Sequence, residues 1–476
     1  LRPLAIATVS LGCAKNLVDT EVFLARLAGA GALLTDDPRA ADIILVNTCG
    51  FIDDAIAESV AELKRLVALG GRGRRKPVIA VGCLPQRLGP EIFERVPGLA
   101  GAVGLDDEGD LPALVARVAG GERIACAARP SGGPATADTP RLRLSPRHWA
   151  YLQASEGCDA GCSFCAIPRI RGALRSKPLR AVVREARELA ASGVRELVLI
   201  AQDLTAYGED LDGGPALPEL LAALERVHGI VWIRLLYLHP RRITDELIDR
   251  IAASEKILPC LDLPFQHSEP RILRRMGRGA PAAGSAAALM ARLRDRIPPL
   301  VARGTFLAGF PGETAGDFEA LARFVRTAGF PRGGAFSFSP QAGTPAARFA
   351  PRPAPRVARA RAARLRRLIS DNARAFARAR VGRTATVIVD GPSGRFLAAR
   401  SFAEAPEVDP VVRLPLGSAE PGAFVAVRIT GVAGLDLVGT VIEREGAPRG
   451  GGLLERRPKR RLRRARLPLP ILAPVP

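Results

Sequence analysis

Aromatic side chains are scarce in this 476-residue sequence, at 5%. A surface that grips single-stranded nucleic acid by stacking bases on rings is therefore not expected. Long apolar runs are also missing: none reaches the length that spans a bilayer, so no membrane partner is expected. The opening Leu1-Arg2-Pro3 leads straight into a strand-like stretch without the charged and apolar regions of a signal peptide, and the first residue is not Met. A cytoplasmic location is the expectation. There, the 8 cysteines are better read as ligands or buried thiols than as disulfides. Acidic residues are in deficit, 48 against 69 basic ones, for a formal charge of +21. That balance favours an anionic partner such as nucleic acid or a ribonucleoprotein. A GC-rich coding sequence that writes Arg for Lys beside abundant Ala, Gly and Pro would produce the same excess.

The chain is 47% hydrophobic, enough for packed cores, and its length implies two or three domains. Strand-like runs at Leu4–Leu11, Ala41–Val46 and Val78–Val81 alternate with helical patterns, and each run leads into a cysteine: Cys13, Cys49 and Cys83. In an open parallel sheet ligands bind outside the carboxyl ends of the strands, so these three thiols can converge. The Pro/Gly-rich stretch 127–141 reads as a linker between a first domain, 1–126, and a second, 142–380. The second domain carries strand candidates at Trp149–Ala154, Glu196–Ala201, Val231–Leu236, Leu261–Leu263, Thr305–Gly309 and Gly334–Ser339. Six βα alternations suggest a partial barrel, closed off by a helix of about Pro355 to Ala379. Residues 381–445 hold five short strands separated by turns and read as a small antiparallel β-barrel. In the tail, 446–476, nine basic residues and one acid lie between Arg449 and Arg466. It is expected to be disordered, either simply solvated or touching RNA.

The most specific pattern is Cys158-Asp159-Ala160-Gly161-Cys162-Ser163-Phe164-Cys165, a CxxxCxxC loop following the first strand of the barrel. Three thiolates from one short loop can bind three irons of a 4Fe–4S cube and leave the fourth open to S-adenosylmethionine. A zinc loop is the competing reading; it requires a fourth protein ligand, and zinc pairs more often fall in CxxC. The Cys13, Cys49 and Cys83 trio likewise lacks an obvious fourth ligand; three buried small hydrophobes are the alternative. Asn16, Asp19 and Asn47 lie beside that trio and are placed to tune a cluster by hydrogen bonding. Cys126 and Cys260 have no such setting. Gly309 and Glu313 belong to a Gly-rich turn after a strand, a place for close approach to an adenosine. Gln202 and Asp203 end another strand, and Gln266 and His267 another, on the face where such barrels carry their sites. No residue is assigned as a general acid or base.

Together these stretches resemble the radical S-adenosylmethionine methylthiotransferase family, from about Ile6 to Glu443. The first domain resembles that family's auxiliary-cluster domain, the second its radical barrel, and the third its TRAM domain. SLGCAKNLVDTE (Ser10 to Glu21), EGCDAGCSFCAIPRIRGALRSKP (Glu156 to Pro178), ELVLIAQDLTAYGEDL (Glu196 to Leu211), WIRLLYLHP (Trp232 to Pro240) and RSFAEAPEVD (Arg400 to Asp409) are closest to the branch that modifies a ribosomal protein. The transfer-RNA branch typically has Gln and Met after the first cysteine. Ala14 stands where that family usually has Pro, and His239, Cys260 and Phe338 where Tyr is common.

The resemblance implies two 4Fe–4S clusters, one on Cys158, Cys162 and Cys165 and one on Cys13, Cys49 and Cys83. It also implies S-adenosylmethionine as cosubstrate, for which Gln202, Gly309 and Glu313 are the candidate binding residues. The implied reaction inserts a methylthio group at the β-carbon of an aspartate in a small-subunit ribosomal protein; an N6-modified adenosine of transfer RNA is the alternative substrate, and a non-catalytic iron–sulfur RNA-binding protein the rival of another class. Implied partners are that ribosomal protein, ribosomal RNA, and a reductant such as flavodoxin or ferredoxin. Arg171 and Arg175, just past the cluster loop, are candidates to pair with the target carboxylate.

Overall fold

In the computed structural model, residues 2–69, 76–126, 140–214, 216–281 and 283–444 are described; most of the expected linker and the whole basic tail lie outside them. The chain divides into two compact units. The first holds residues up to Phe376 together with Phe402–Asp409, and the second holds Ala377–Ser401 and the chain from Pro410 onward. Among the described residues no helix is long and apolar enough to cross a membrane.

The first unit contains two parallel sheets. One has six strands: β1 (Ala5–Ser10), β2 (Leu33–Thr35), β3 (Ile43–Thr48), β4 (Val78–Gly82), β5 (Gly101–Val103) and β6 (Ile124–Cys126), in the order β2-β1-β3-β4-β5-β6. Every residue of β3 and β4 is buried, which is why these strands read as continuous apolar runs: both faces are covered. Helix α1 (Ala14–Gly29) lays Phe23 and Leu27 against this sheet and turns Val18 toward Trp149, Tyr151, Val198 and Ile200. Helix α2 (Asp53–Val67) starts on Asp53 and Asp54 and ends on Lys64 and Arg65, charges that complement its dipole. A short helix, α3 (Cys83–Leu88), begins at the third cysteine itself. The three-residue strands β2, β5 and β6 were not anticipated from the sequence; segments so short carry no period.

The second sheet is built from β7 (Trp149–Gln153), then, after a two-stranded ribbon of β8 (Ser155–Glu156) and β9 (Arg175–Ser176), from β10 (Glu196–Ile200), β11 (Trp232–Leu235), β12 (Ile257–Gln266), β13 (Val301–Ala308) and β14 (Arg332–Ser337). Its order, β14-β13-β12-β11-β10-β7, is parallel throughout and leaves β7 and β14 as edges. This is the partial (βα)6 barrel expected. Its core runs from Leu152 through Leu199, Leu235, Leu263 and Phe306 to Leu365.

The second unit is a closed five-stranded barrel of β15 (Thr384–Ser393), β16 (Phe396–Arg400), β17 (Val412–Leu414), β18 (Phe424–Ala433) and β19 (Asp436–Arg444), in the order β15-β16-β17-β19-β18. All neighbours are antiparallel except β17 and β19. Val387, Val389, Ala399, Val427 and Ile429 fill its interior.

Candidate metal centre

The first thiol triplet is assembled by strand ends. Cys49 directly follows β3, Cys83 directly follows β4, and Cys13 caps α1 in extended conformation after β1. Asn16, one turn into α1, ties them together. Its Nδ2 donates to Leu11 O and Thr48 O, at 2.9 and 3.1 Å. Its Oδ1 lies 3.7 Å from both the Cys13 and Cys83 sulfurs. Ser59 Oγ, on α2, accepts from the Cys49 N–H and donates back to the Cys49 carbonyl, both at 3.0 Å. Asn47 works one layer further in, donating to Asn16 O and Thr20 Oγ1. Burial pushes the Cys83 thiol up to about 12, with Cys13 and Cys49 adding to the shift. Burial raises Cys49 as well, again reinforced by Cys13. The three sulfurs therefore act on one another.

The second triplet hangs from the loop after the β8 end of the ribbon. Gly157 has φ +71°, and a Cβ there would sit 1.8 Å from Ala173 O; only glycine lets the loop close against the 172–173 backbone. Hydrogen-bond donors face the sulfurs: Ala160 N–H lies 3.4 Å from Cys158 Sγ, and Arg278 Nη1 lies 3.3 Å from Cys162 Sγ. Burial raises Cys158 to about 11 and Cys165 to about 12, so ligation must release protons. Phe164 packs edge-on against Phe310, which also meets Phe338 and Phe349.

Both donor sets fit an iron–sulfur cluster. Each offers three thiols; N–H donors suited to anionic sulfur reach Cys158 and Cys162 in the second set and, from Phe51, Cys49 in the first. Cys260 is buried within β12 and Cys126 ends β6, away from either triplet.

The two triplets are joined by Arg171. This side chain is 3% exposed. It donates to Asn16 Oδ1 at 2.9 Å and Asp19 Oδ2 at 2.7 Å on α1, and to Glu156 Oε1 at 2.7 Å, two residues before Cys158. Contacts therefore run without a gap from Cys83 through Asn16, Arg171 and Glu156 to the CxxxCxxC loop. Against the expectation that Arg171 meets a target carboxylate, both of its terminal nitrogens are engaged by two carboxylates and an amide of the protein itself, so it links the two thiol triplets. Arg175 Nη2 reaches back to Arg171 O at 3.3 Å.

Around this spine stand the strand-end residues. Gln202 Nε2 donates to Glu156 Oε1 at 2.9 Å, while its Oε1 is buried without a hydrogen-bond partner, an acceptor left for a ligand. Asp203 accepts from Thr205 N–H and pairs with Arg242 at 2.9 Å; its charge reaches Cys158. Gln266 (φ +66°) and Tyr237 (φ +62°) are strained non-glycine residues at the ends of β12 and β11, the kind of backbone that persists at sites. Gly309 opens toward helix Pro355–Arg380: a Cβ there would be 2.3 Å from Ala358 Cβ. Its close approach is thus to a helix. Glu313 is buried, accepting from Gly309 N–H at 2.8 Å and pairing with Arg361 at 2.6 Å, with His267 Nε2 at 3.6 Å. It braces the turn.

Three family models match the chain: the uncharacterized protein family UPF0004 over residues 5–104, the radical SAM superfamily over 152–325, and the TRAM domain over 381–442. Among curated proteins, the chain is 44% identical to one named ribosomal protein uS12 methylthiotransferase RimO from Desulforudis audaxviator, covering 92% of this chain and 97% of that one. It is also 44% identical to a protein of the same name from Anaeromyxobacter sp., covering 92% and 93%. Among solved structures, the radical S-adenosylmethionine methyltransferase TsrM from Kitasatospora setae, with cobalamin and a [4Fe-4S] cluster bound, superposes with a TM-score of 0.50 at 16% identity, covering 71% of this chain and 72% of that one. That likeness is one of fold.

Proposed function

The chain belongs to the RimO family of radical S-adenosylmethionine methylthiotransferases, and on that premise we propose that it attaches a methylthio group to the β-carbon of an aspartate in ribosomal protein uS12. The observation that carries this reading is the unbroken contact between two thiol triplets through Arg171. A β C–H is too weak an acid for a side-chain base, so hydrogen-atom abstraction is required. A 4Fe–4S cluster on Cys158, Cys162 and Cys165 supplies the one-electron cleavage of S-adenosylmethionine that makes such abstraction available. We assign a second cluster to Cys13, Cys49 and Cys83, supplying the sulfur-bearing centre.

The chain's own residues arrange the rest. Arg278 and the Ala160 N–H stabilise negative charge on Cys162 and Cys158. Glu156 orients Gln202, whose free Oε1 is placed to accept from the cosubstrate. Glu313, locked by Arg361, fixes the Gly309 turn. Phe164, Phe310 and Phe338 pack edge to face beside the loop. The high positive charge, +21, and the TRAM match support contact with ribosomal RNA. An external reductant of the flavodoxin or ferredoxin kind completes the partner set.

The test is mass spectrometry of tryptic uS12 peptides and of digested transfer RNA from a strain deleted for this protein. Loss of the methylthio mark from the aspartyl peptide alone is expected. Loss from a transfer-RNA nucleoside, with the peptide unchanged, contradicts the reading.

A further inference from the structure

Among the described residues Lys15 is the one buried lysine, 7% exposed. It lies two residues after Cys13, in the first turn of α1. From there it crosses to the barrel, where its Nζ lies 3.3 Å from Ala201 O and 3.6 Å from the centroid of the Tyr237 ring. Ala201 directly follows β10 and Tyr237 lies just past β11. The ammonium therefore sits at the carboxyl ends of two central barrel strands, beside a ligand of the first triplet and one residue from Gln202.

A buried cation normally has an anionic partner. Among the described residues Lys15 pairs with no carboxylate: the Cys13 sulfur acts on its charge, but the carboxylates within its electrostatic reach are committed elsewhere. Asp19 and Glu156 are both held by Arg171, and Asp262 accepts the Tyr237 N–H at 3.0 Å. Its neighbours are one carbonyl at long range and the Tyr237 side chain, which meets the ammonium through its ring and its hydroxyl oxygen; neither carries the full charge that a buried three-donor ammonium calls for. Tyr237 adds an independent sign. Its backbone is kept at φ +62° by that bond to Asp262 and by Leu204 N–H donating to its carbonyl at 3.0 Å, and strain of this kind persists where a side chain must be presented. The other buried cations at this end are occupied: Arg171 as described, and Arg278 by the Cys162 sulfur and Pro264 O.

Resting on the substrate reading above, we infer that Lys15, seated on the Tyr237 ring, binds the carboxylate of the target aspartate and selects aspartate over asparagine. A carboxylate placed there completes the ammonium's hydrogen bonding and holds its own β-carbon between the two triplets. An asparagine amide restores no charge pairing, so the discrimination expected is about 10- to 100-fold.

The experiment is equilibrium binding by fluorescence anisotropy, without reductant so that no turnover occurs. Anaerobically reconstituted full-length protein is titrated with labelled uS12 and with uS12 whose target aspartate is replaced by asparagine. Wild type is expected to bind the aspartate form about 10- to 100-fold more tightly, Lys15→Met to bind both forms alike, and Lys15→Arg to keep part of the preference. Equal wild-type affinity for the two forms, or an undiminished ratio in Lys15→Met, overturns the inference. S-Adenosylmethionine binding is measured alongside by equilibrium dialysis. If Lys15→Met weakens that binding while the ratio survives, the ammonium serves the cosubstrate's carboxylate and the inference fails. Should Lys15→Met not fold, the wild-type ratio and Lys15→Arg decide. If wild type binds neither form of uS12, the substrate reading itself fails.

Discussion

Arg171 and Lys15 are both basic residues near cysteines in the sequence, and the structure gives them opposite conditions. Arg171 is buried with two carboxylates; Lys15 is buried with none. Sequence shows charge but not burial, so it leaves Arg171 open between the target carboxylate, another anion and a solvated surface, and gives Lys15 no role. One signal is available: Lys15 lies three residues before Val18, on the face of α1 that packs on Trp149, Tyr151, Val198 and Ile200. The cysteines were legible because ligand chemistry dictates residue type and spacing together. Removing Arg171 strands two buried carboxylates. Arg171→Met is expected to cost about 3–5 kcal/mol in urea unfolding, and Asp19→Asn clearly less, since Glu156 still pairs with the guanidinium; a loss below about 1 kcal/mol for Arg171→Met would contradict its role as the spine. A second prediction concerns His239, whose Nδ1 accepts from Arg241 N–H. Burial, then the fields of Arg278, Arg242 and Arg241, push it down to about 2. Below about pH 6.5 the unfolded chain takes up a proton that the folded chain refuses, so this residue withdraws stability as pH falls, by up to about 1.4 kcal/mol per unit. His239→Asn, which keeps an acceptor, should therefore lose about 2 kcal/mol less than wild type between pH 7 and 5; parallel pH profiles would refute this.

At the scale of elements, long periodic segments were legible and short ones were not. The helix expected from about Pro355 to Ala379 is found as Pro355–Arg380, and all five strands of the last domain are present. The strand expected at Leu261–Leu263 instead runs Ile257–Gln266, because Pro259 and Pro264 masked a continuous buried run. The ribbon of β8 and β9, with two residues per strand, had no pattern to show, yet it frames the CxxxCxxC loop. Its closure depends on Gly157. Gly157→Ala adds positive-φ strain and drives a methyl group into Ala173 O. The substitution is expected to cost about 1–3 kcal/mol or more and to lower iron incorporation at the second triplet, read as iron per chain after reconstitution. Normal loading and an unchanged Tm would show that the loop closes another way.

Across the whole molecule, both thiol triplets belong to the first compact unit, which also takes in Phe402–Asp409 from between β16 and β17. That segment is fixed there by buried pairs of Arg332 with Glu404 and Arg303 with Asp409, a connection across the sequence that no local pattern announces. The central claim is that this one unit carries two clusters, each on three cysteines. It is tested most directly by iron and sulfide analysis of anaerobically reconstituted protein, comparing wild type with Cys13→Ala/Cys49→Ala/Cys83→Ala and with Cys158→Ala/Cys162→Ala/Cys165→Ala. The account predicts about eight irons per wild-type chain and about four in each triple variant. About four in wild type, unchanged by loss of the first triplet, would contradict it.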